Sequence, residues 1–203
     1  MPDPQWLVSV LAALALGALL GWSLGRRRLK AERAANQQAI QNALREARTD
    51  PLTGVGNRAA FEEGLAALCE DFRRDQFPCA LLLLDIDGLK AINDRLGHAA
   101  GDEALARLAR ELRAQCRGTD LVARLGGDEF AVLLPRTDEA GGMTLAARIQ
   151  ERLRADSAAS AAHLQVSLGC AALRAEDSAA DLQARADAAL YRAKQAGGGR
   201  AAS

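Results

Sequence analysis

Cys79-Ala80-Leu81-Leu82-Leu83-Leu84-Asp85-Ile86-Asp87 decides how the 203-residue chain is read. An unbroken apolar run of this length, bounded by Pro78 and Gly88, is the pattern of a central strand buried on both faces. Outward from it the elements alternate. Phe61, Leu65, Leu68, Cys69 and Phe72 fall on one face of a preceding helix, and Leu105, Leu108, Ala109, Leu112 and Cys116 mark an amphipathic helix that follows. Leu121–Leu125 and Phe130–Leu134 are short apolar runs joined by Gly126-Gly127-Asp128-Glu129, which predicts a hairpin. A helix is expected over roughly Glu139–Arg154. Leu164, Val166, Leu168 and Cys170 alternate as a strand, and Leu182, Ala186, Ala189, Leu190 and Ala193 mark a last helix. The predicted order is helix, strand, two helices, hairpin, helix, strand, helix. That is an α/β (α+β) domain with a mixed central sheet and helices packed over it.

Composition narrows the function. Twenty-six basic residues balance 26 acidic ones, which excludes a strongly basic grip on a nucleic-acid polymer. With 49% apolar and 26% charged residues the chain folds rather than staying disordered. Cys69, Cys79, Cys116 and Cys170 are scattered through apolar patterns and form no C-x-x-C pair, so they read as small buried hydrophobes in a reducing compartment. His98 and His163 are isolated, which argues against clustered zinc ligands.

The N-terminal part reads differently. No charge lies between Asp3 and Arg26, and residues 6–25 are mostly apolar, long enough as a helix for the roughly 30 Å of a bilayer core. Trp6 and Trp22 sit near its ends, and Arg26, Arg27, Arg28 and Lys30 follow directly. A cleaved signal peptide would carry positive charge before the apolar run, where this chain has Asp3. The expectation is a single-pass anchor at 6–25 in the inner (cytoplasmic) membrane, with everything after it in the cytoplasm. Residues 26–49 form a helical stretch whose apolar positions are Leu29, Ile40 and Leu44, either a solvated linker or a dimerising stalk. Pro51 ends it, and the folded domain is expected over 50–203.

The polar residues that interrupt the apolar elements carry the chemistry. Asp85 and Asp87 close the central strand at its carboxyl end, the edge where open α/β sheets bind ligands. Asp128 and Glu129 sit at the hairpin tip after two glycines that permit close approach. If the two strands are neighbours, Asp85 and Asp128 converge, and paired carboxylates with open positions suit Mg²⁺, which in turn brings phosphates. Taken singly, Asp85 could cap the next helix and the glycines could simply make a turn.

Four ordered blocks together resemble the GGDEF family, the diguanylate cyclases. They are Asp50-Pro51-Leu52-Thr53-Gly54-Val55-Gly56-Asn57-Arg58; Asp85-Ile86-Asp87-Gly88-Leu89-Lys90-Ala91-Ile92-Asn93-Asp94 with Gly97-His98 and Gly101-Asp102; Gly126-Gly127-Asp128-Glu129-Phe130; and Tyr191, Ala193 and Lys194. The resemblance implies a nucleotide-cyclase-like, ferredoxin-type βααββαβ core. It also implies condensation of two GTP into cyclic di-GMP with release of two pyrophosphates, in a homodimer. Carried over residue by residue, Asp85 and Asp128 would hold Mg²⁺ (Mn²⁺ as a substitute) with the Ile86 carbonyl. Asp128, supported by Glu129, would accept the 3′-hydroxyl proton, and Lys90 would stabilise the transferring phosphates. Asn93 and Asp102 would read guanine, His98 would lie in the same pocket, and Lys194 would bind substrate phosphate. An amide beside a carboxylate matches guanine's acceptor and donor edges, which adenine would not.

The chain also departs from the family's pattern. Gly88 and Leu89 stand where an aromatic is usual, and Gly198 stands where the closing helix would supply a phosphate-binding arginine, leaving Arg200 as a substitute only after a local shift. Lys194 could equally be a solvated lysine in a helix's last turn. Arg117-Gly118-Thr119-Asp120 matches the family's R-x-x-D product-inhibition site. Readings from other classes are a silent module that binds GTP or cyclic di-GMP, and a membrane-bound dimerisation scaffold.

Overall fold

The computed structural model describes residue 43, residues 47–157 and residues 164–203. The expected membrane span at 6–25, most of the 26–49 stretch and His163 lie outside the described residues. Among the described residues no helix is long and apolar enough to cross a membrane.

Among the described residues the elements follow in the order α1 (Arg58–Asp75), β1 (Ala80–Ile86), α2 (Leu89–Leu96), α3 (His98–Gln115), β2 (Leu121–Gly126), β3 (Glu129–Leu134), α4 (Glu139–Ser157), β4 (Val166–Ala172), α5 (Ala179–Gln195) and β5 (Ala201–Ala202). From β1 to β4 this is the expected βααββαβ order. The sheet runs β2-β3-β1-β4-β5. The central β1 is antiparallel to both β3 and β4, while β5 joins β4 in parallel, so the sheet is mixed.

Every residue of β1 is buried, because both faces of the sheet are covered. Leu82, Leu84 and Ile86 meet Leu105, Leu108 and Leu112 of α3 and Ile149 and Leu153 of α4. On the other face Leu81 and Leu83 meet Phe61, Leu65 and Phe72 of α1 and Leu182, Ala186 and Leu190 of α5. This two-sided burial is the reason the strand reads as a continuous apolar run instead of an alternating one. Truncating one of these fully buried leucines to alanine costs about 2–5 kcal/mol.

Caps set the helix limits. Asn57 accepts the Ala60 N–H at 3.1 Å to open α1, and Ser178 with Asp181 forms a capping box for α5. Gly169 then fixes how closely α5 lies on β4. A Cβ there would sit 2.2 Å from the Ala186 carbonyl oxygen and 2.3 Å from the Leu190 nitrogen. That contact brings the end of α5, about one turn beyond Leu190, over the carboxyl end of β1.

Two expectations are adjusted. The fourth strand begins at Val166, leaving Leu164 and Gln165 to lead into it, and it continues to Ala172. The short β5 was not anticipated, since two alanines carry no strand pattern. It forms because Gly197, Gly198 and Gly199, all at positive φ, turn the chain back along β4. Cys69, Cys79 and Cys170 are buried as expected, while Cys116 is half-buried; all four are free thiols, and burial pushes those of Cys116 and Cys170 up to about 12.

Candidate active site at the carboxyl end of the central strand

Asp85 stands opposite Glu129 of β3 and Ser167 of β4. The Ile86 N–H donates to the Asp128 carbonyl at 3.3 Å, so the hairpin tip folds onto the end of β1. Asp85 is 7% exposed. Burial pushes its carboxyl above the ordinary 3.8, and the charges of Asp128 and Asp87 push the same way. The cation that answers them is Lys194, in the last turn of α5, whose Nζ lies 2.7 Å from Asp85 Oδ2. Its pull does not offset burial and repulsion, so the carboxylate keeps affinity for further positive charge.

Among the described residues no three His, Cys, Asp or Glu side chains are grouped to hold a metal by themselves. Asp85, Asp128 and the Ile86 carbonyl, the set expected from the sequence, would offer oxygen donors only, the chemistry Mg²⁺ uses when substrate phosphates and water complete its shell. The ammonium seated on Asp85 marks the spot as one that takes a cation. The donor chemistry therefore fits.

The residues expected to meet a nucleotide cluster at the α2–α3 corner. Gly88 opens α2 at φ 74, and Lys90 is exposed in the first turn. Asn93 Oδ1 is buried without a hydrogen-bond partner. It presses against α3 so closely that a Cβ on Gly101 would lie 1.9 Å away, and a side chain there would displace it. Asp102 and His98, next in line on α3, are exposed.

Glu129 is exposed at the start of β3. It borders a cavity of about 330 Å³ between α1 and α5, lined also by Arg58, Phe130, Gln183 and Asp187. Gly198, where the expected arginine is missing, packs against Asp87: a Cβ there would lie 3.1 Å from Asp87 Oδ2. Arg200 is exposed and its carbonyl accepts the Leu168 N–H at 2.8 Å.

Arg117 and Asp120 are not part of this cluster. They precede β2, at the opposite end of that strand from the tip. Asp120 Oδ2 accepts the Arg117 N–H at 2.7 Å, while Asp120 Oδ1 is buried without a partner. Both residues border a cavity of about 200 Å³ that Arg148 of α4 also lines. Arg148, whose Nη2 donates to the Gln115 carbonyl at 2.6 Å, was missed in the sequence because nothing in its helical neighbourhood distinguishes it from a solvated arginine.

A second group was missed as well. Arg124 donates from Nε and Nη2 to the Gly127 carbonyl at 3.0 and 2.8 Å, and its Nη1 lies 3.3 Å from both carboxylate oxygens of Asp50. Thr53 donates to Asp50 from N and Oγ1 at 2.9 and 2.6 Å, and Arg58 Nε donates to the Leu125 carbonyl at 3.0 Å. Burial alone would raise Asp50, but the Thr53 hydrogen bonds and Arg124 outweigh it and hold the carboxyl below 3.8. The segment from Asp50 to Arg58 is thus a brace for the hairpin. An arginine inside an otherwise apolar strand was the available signal.

Residues 47–200 match the family model described as diguanylate cyclase, GGDEF domain. The chain is 44% identical over 166 residues to the diguanylate cyclase DgcP of Pseudomonas aeruginosa, covering 78% of this chain and 24% of DgcP. It is 40% identical over 172 residues to the diguanylate cyclase TpbB of the same species, covering 82% of this chain and 40% of TpbB. The chain therefore spans less than half the length of these curated relatives. Among solved structures, the coiled coil and GGDEF domain of DgcB from Caulobacter crescentus in complex with c-di-GMP superposes with a TM-score of 0.79 at 29% identity, covering 93% of this chain and 98% of that one. The GGDEF domain of TpbB superposes with a TM-score of 0.68 at 41% identity, covering 73% and 95%.

Proposed function

The chain belongs to the GGDEF-domain family of diguanylate cyclases, and on that premise we propose that it condenses two GTP into cyclic di-GMP with release of two pyrophosphates. The observation that carries this reading is the meeting of Asp85, Asp128 and Lys194, three charges from three distant parts of the chain, at one strand end. Phosphoryl-type transfer asks a protein for positioning and charge stabilisation more than for covalent chemistry. Asp85, Asp128 and the Ile86 carbonyl would hold Mg²⁺, or Mn²⁺ in its place, which supplies charge for the transferring phosphate and for the attacking hydroxyl.

The chain's own residues do the rest. Asn93 accepts from guanine through the orphaned Oδ1, beside Asp102 and with His98 at the same corner. Lys90, at the positive end of α2, and Lys194 meet the phosphates. Asp128 takes the 3′-hydroxyl proton, with Glu129 beside it. Each domain has one such site and the product contains two guanylyl units, so two domains face each other in a homodimer. Arg117 and Asp120 form a separate site for the product: the unpartnered Asp120 Oδ1 suits a guanine N–H, and Arg117 a phosphate or base edge.

Residues 6–25 anchor the protein in the inner membrane, with the domain in the cytoplasm, and the uncharged apolar run followed by Arg26, Arg27, Arg28 and Lys30 supports this. A reporter after Ser203 should read cytoplasmic, and deletion of residues 1–25 should release the protein from membranes. The deciding assay is incubation of the purified protein with GTP and Mg²⁺ and chromatography of the products. Cyclic dinucleotide with two pyrophosphates per product is expected. Bound but unconverted GTP would leave a silent nucleotide-binding module instead.

A further inference from the structure

We propose that Asp87 is a positioning residue that locks the Gly197–Gly199 loop to the end of β1 and so holds Lys194 over the carboxylates. The functional part of this rests on the reading above that Lys194 serves the phosphates of GTP.

Asp87 lies two residues beyond Asp85 yet faces different partners. Its Oδ2 accepts the Gly199 N–H at 2.7 Å across 112 residues of sequence. Ser167 Oγ, on a residue that is 0% exposed, lies 2.8 and 3.0 Å from the two carboxylate oxygens. The Asp87 N–H donates to the Gln165 carbonyl at 2.9 Å, which fixes the backbone as well. Both oxygens are thereby engaged by groups of the protein.

The loop it grips closes α5. Gly197 N–H donates to the Lys194 carbonyl at 3.1 Å and Gly198 N–H to the Ala193 carbonyl at 3.3 Å, so the anchored segment satisfies the turn that carries Lys194. Arg154 Nη2 donates to the Gly199 carbonyl at 3.3 Å from the far side. Gly198, at φ 70, passes so near that a Cβ on it would sit 3.1 Å from Asp87 Oδ2, so a side chain there would press on the carboxylate. A carboxylate suits this place because it offers two acceptor oxygens to two converging donors. An asparagine offers one, and would turn its amide hydrogens toward Ser167 or Gly199.

The test compares the unaltered protein with Asp87→Asn and Asp87→Ala in three measurements: amide hydrogen exchange, steady-state kinetics with GTP, and cyclic di-GMP binding at the Arg117 site. Exchange over residues 196–203 should rise about tenfold, since the loop's anchoring bonds are lost. The KM for GTP should rise about tenfold while kcat changes less than about threefold, the pattern of a lost binding contribution. Cyclic di-GMP affinity should be unchanged, and Asp87→Glu should recover part of the KM. Unchanged exchange and KM would overturn the proposal. So would parallel losses in kcat, KM, product affinity and thermal stability, because those describe general destabilisation. If the Asp87 variants do not fold, Ser167→Ala takes their place, with a rise of about threefold in KM expected and no change overturning the idea. If the unaltered protein makes no cyclic dinucleotide, the proposed function fails separately. Directly measured GTP affinity of the variants then replaces KM as the deciding quantity.

Discussion

Asp50 and Asp85 flank the same hairpin and are similarly buried, with side chains 17% and 11% exposed, yet their surroundings push them in opposite directions. Asp50 receives two hydrogen bonds from Thr53 and faces Arg124, and its carboxyl is held below 3.8. Asp85 has Lys194 but also burial and two neighbouring aspartates, and its carboxyl is raised. One carboxylate is satisfied by the protein alone and serves to hold the tip in place. The other is disfavoured as an anion by burial and by its neighbouring carboxylates, despite its ion pair with Lys194.

The largest effect expected from this contrast lies on the Asp85 side. Asp128→Asn should reduce cyclic dinucleotide formation by more than about 100-fold, since in the proposed function it removes a ligand and the proton acceptor together, while thermal unfolding stays close to that of the unaltered chain. Turnover within about threefold, or about 0.65 kcal/mol of barrier, would take Asp128 out of the chemistry.

On the satisfied side the loss should appear in stability. Arg124→Ala leaves the Gly127 carbonyl and Asp50 without their partner, and should cost about 2 kcal/mol in urea denaturation. Asp50→Ala should cost a similar amount, with the double variant losing clearly less than the sum because both act through one contact. Additive losses would mean that the brace is not a unit.

The smallest effect, and the sharpest on the comparison, is in pH dependence. Asp50, lowered in the folded state, contributes stability above its unfolded value that is lost as pH falls through the folded value. Asp85, raised in the folded state, costs stability at neutral pH, and that cost is relieved as pH falls through its raised value. In metal-free protein at pH 7, Asp50→Asn should therefore be less stable than the unaltered chain and Asp85→Asn at least as stable. The two differences should fade on acidification, the Asp85 one first. Denaturation curves from pH 7 to 3 give the signs, and equal signs would erase the distinction.

Much of this was legible in the sequence, and the reason is physical. The run from Cys79 to Ile86 identifies a strand covered on both faces because only burial tolerates so many consecutive leucines. The convergence of Asp85 and Asp128 follows once that strand pairs with the hairpin. What local pattern could not supply were contacts set by tertiary register. Arg124 reaches Asp50 across 74 residues and Gly199 reaches Asp87 across 112, and no periodicity encodes either. Lys194, expected at the phosphates, is found 2.7 Å from Asp85, a pairing across 109 residues that helix pattern alone does not encode. Strand β5 escaped because backbone reversal by glycines, not side-chain pattern, creates it.

The central position of β1 has a consequence for how the protein comes into being. Both strands that flank it come later in the chain, β3 at residues 129–134 and β4 at 166–172, so on the ribosome β1 emerges with no partner strand. Its leucines and Asp85 must wait until those strands have been made, and long-range pairing of this kind is slow to form and exposed to aggregation meanwhile. The counter-charge at residue 194 and the anchor at residue 199 emerge only after β4. Nascent chains stalled before residue 194 should hold β1 paired yet lack the last turn of α5, so Asp85 should gain its ion-pair partner only after β1 to β4 have all been made.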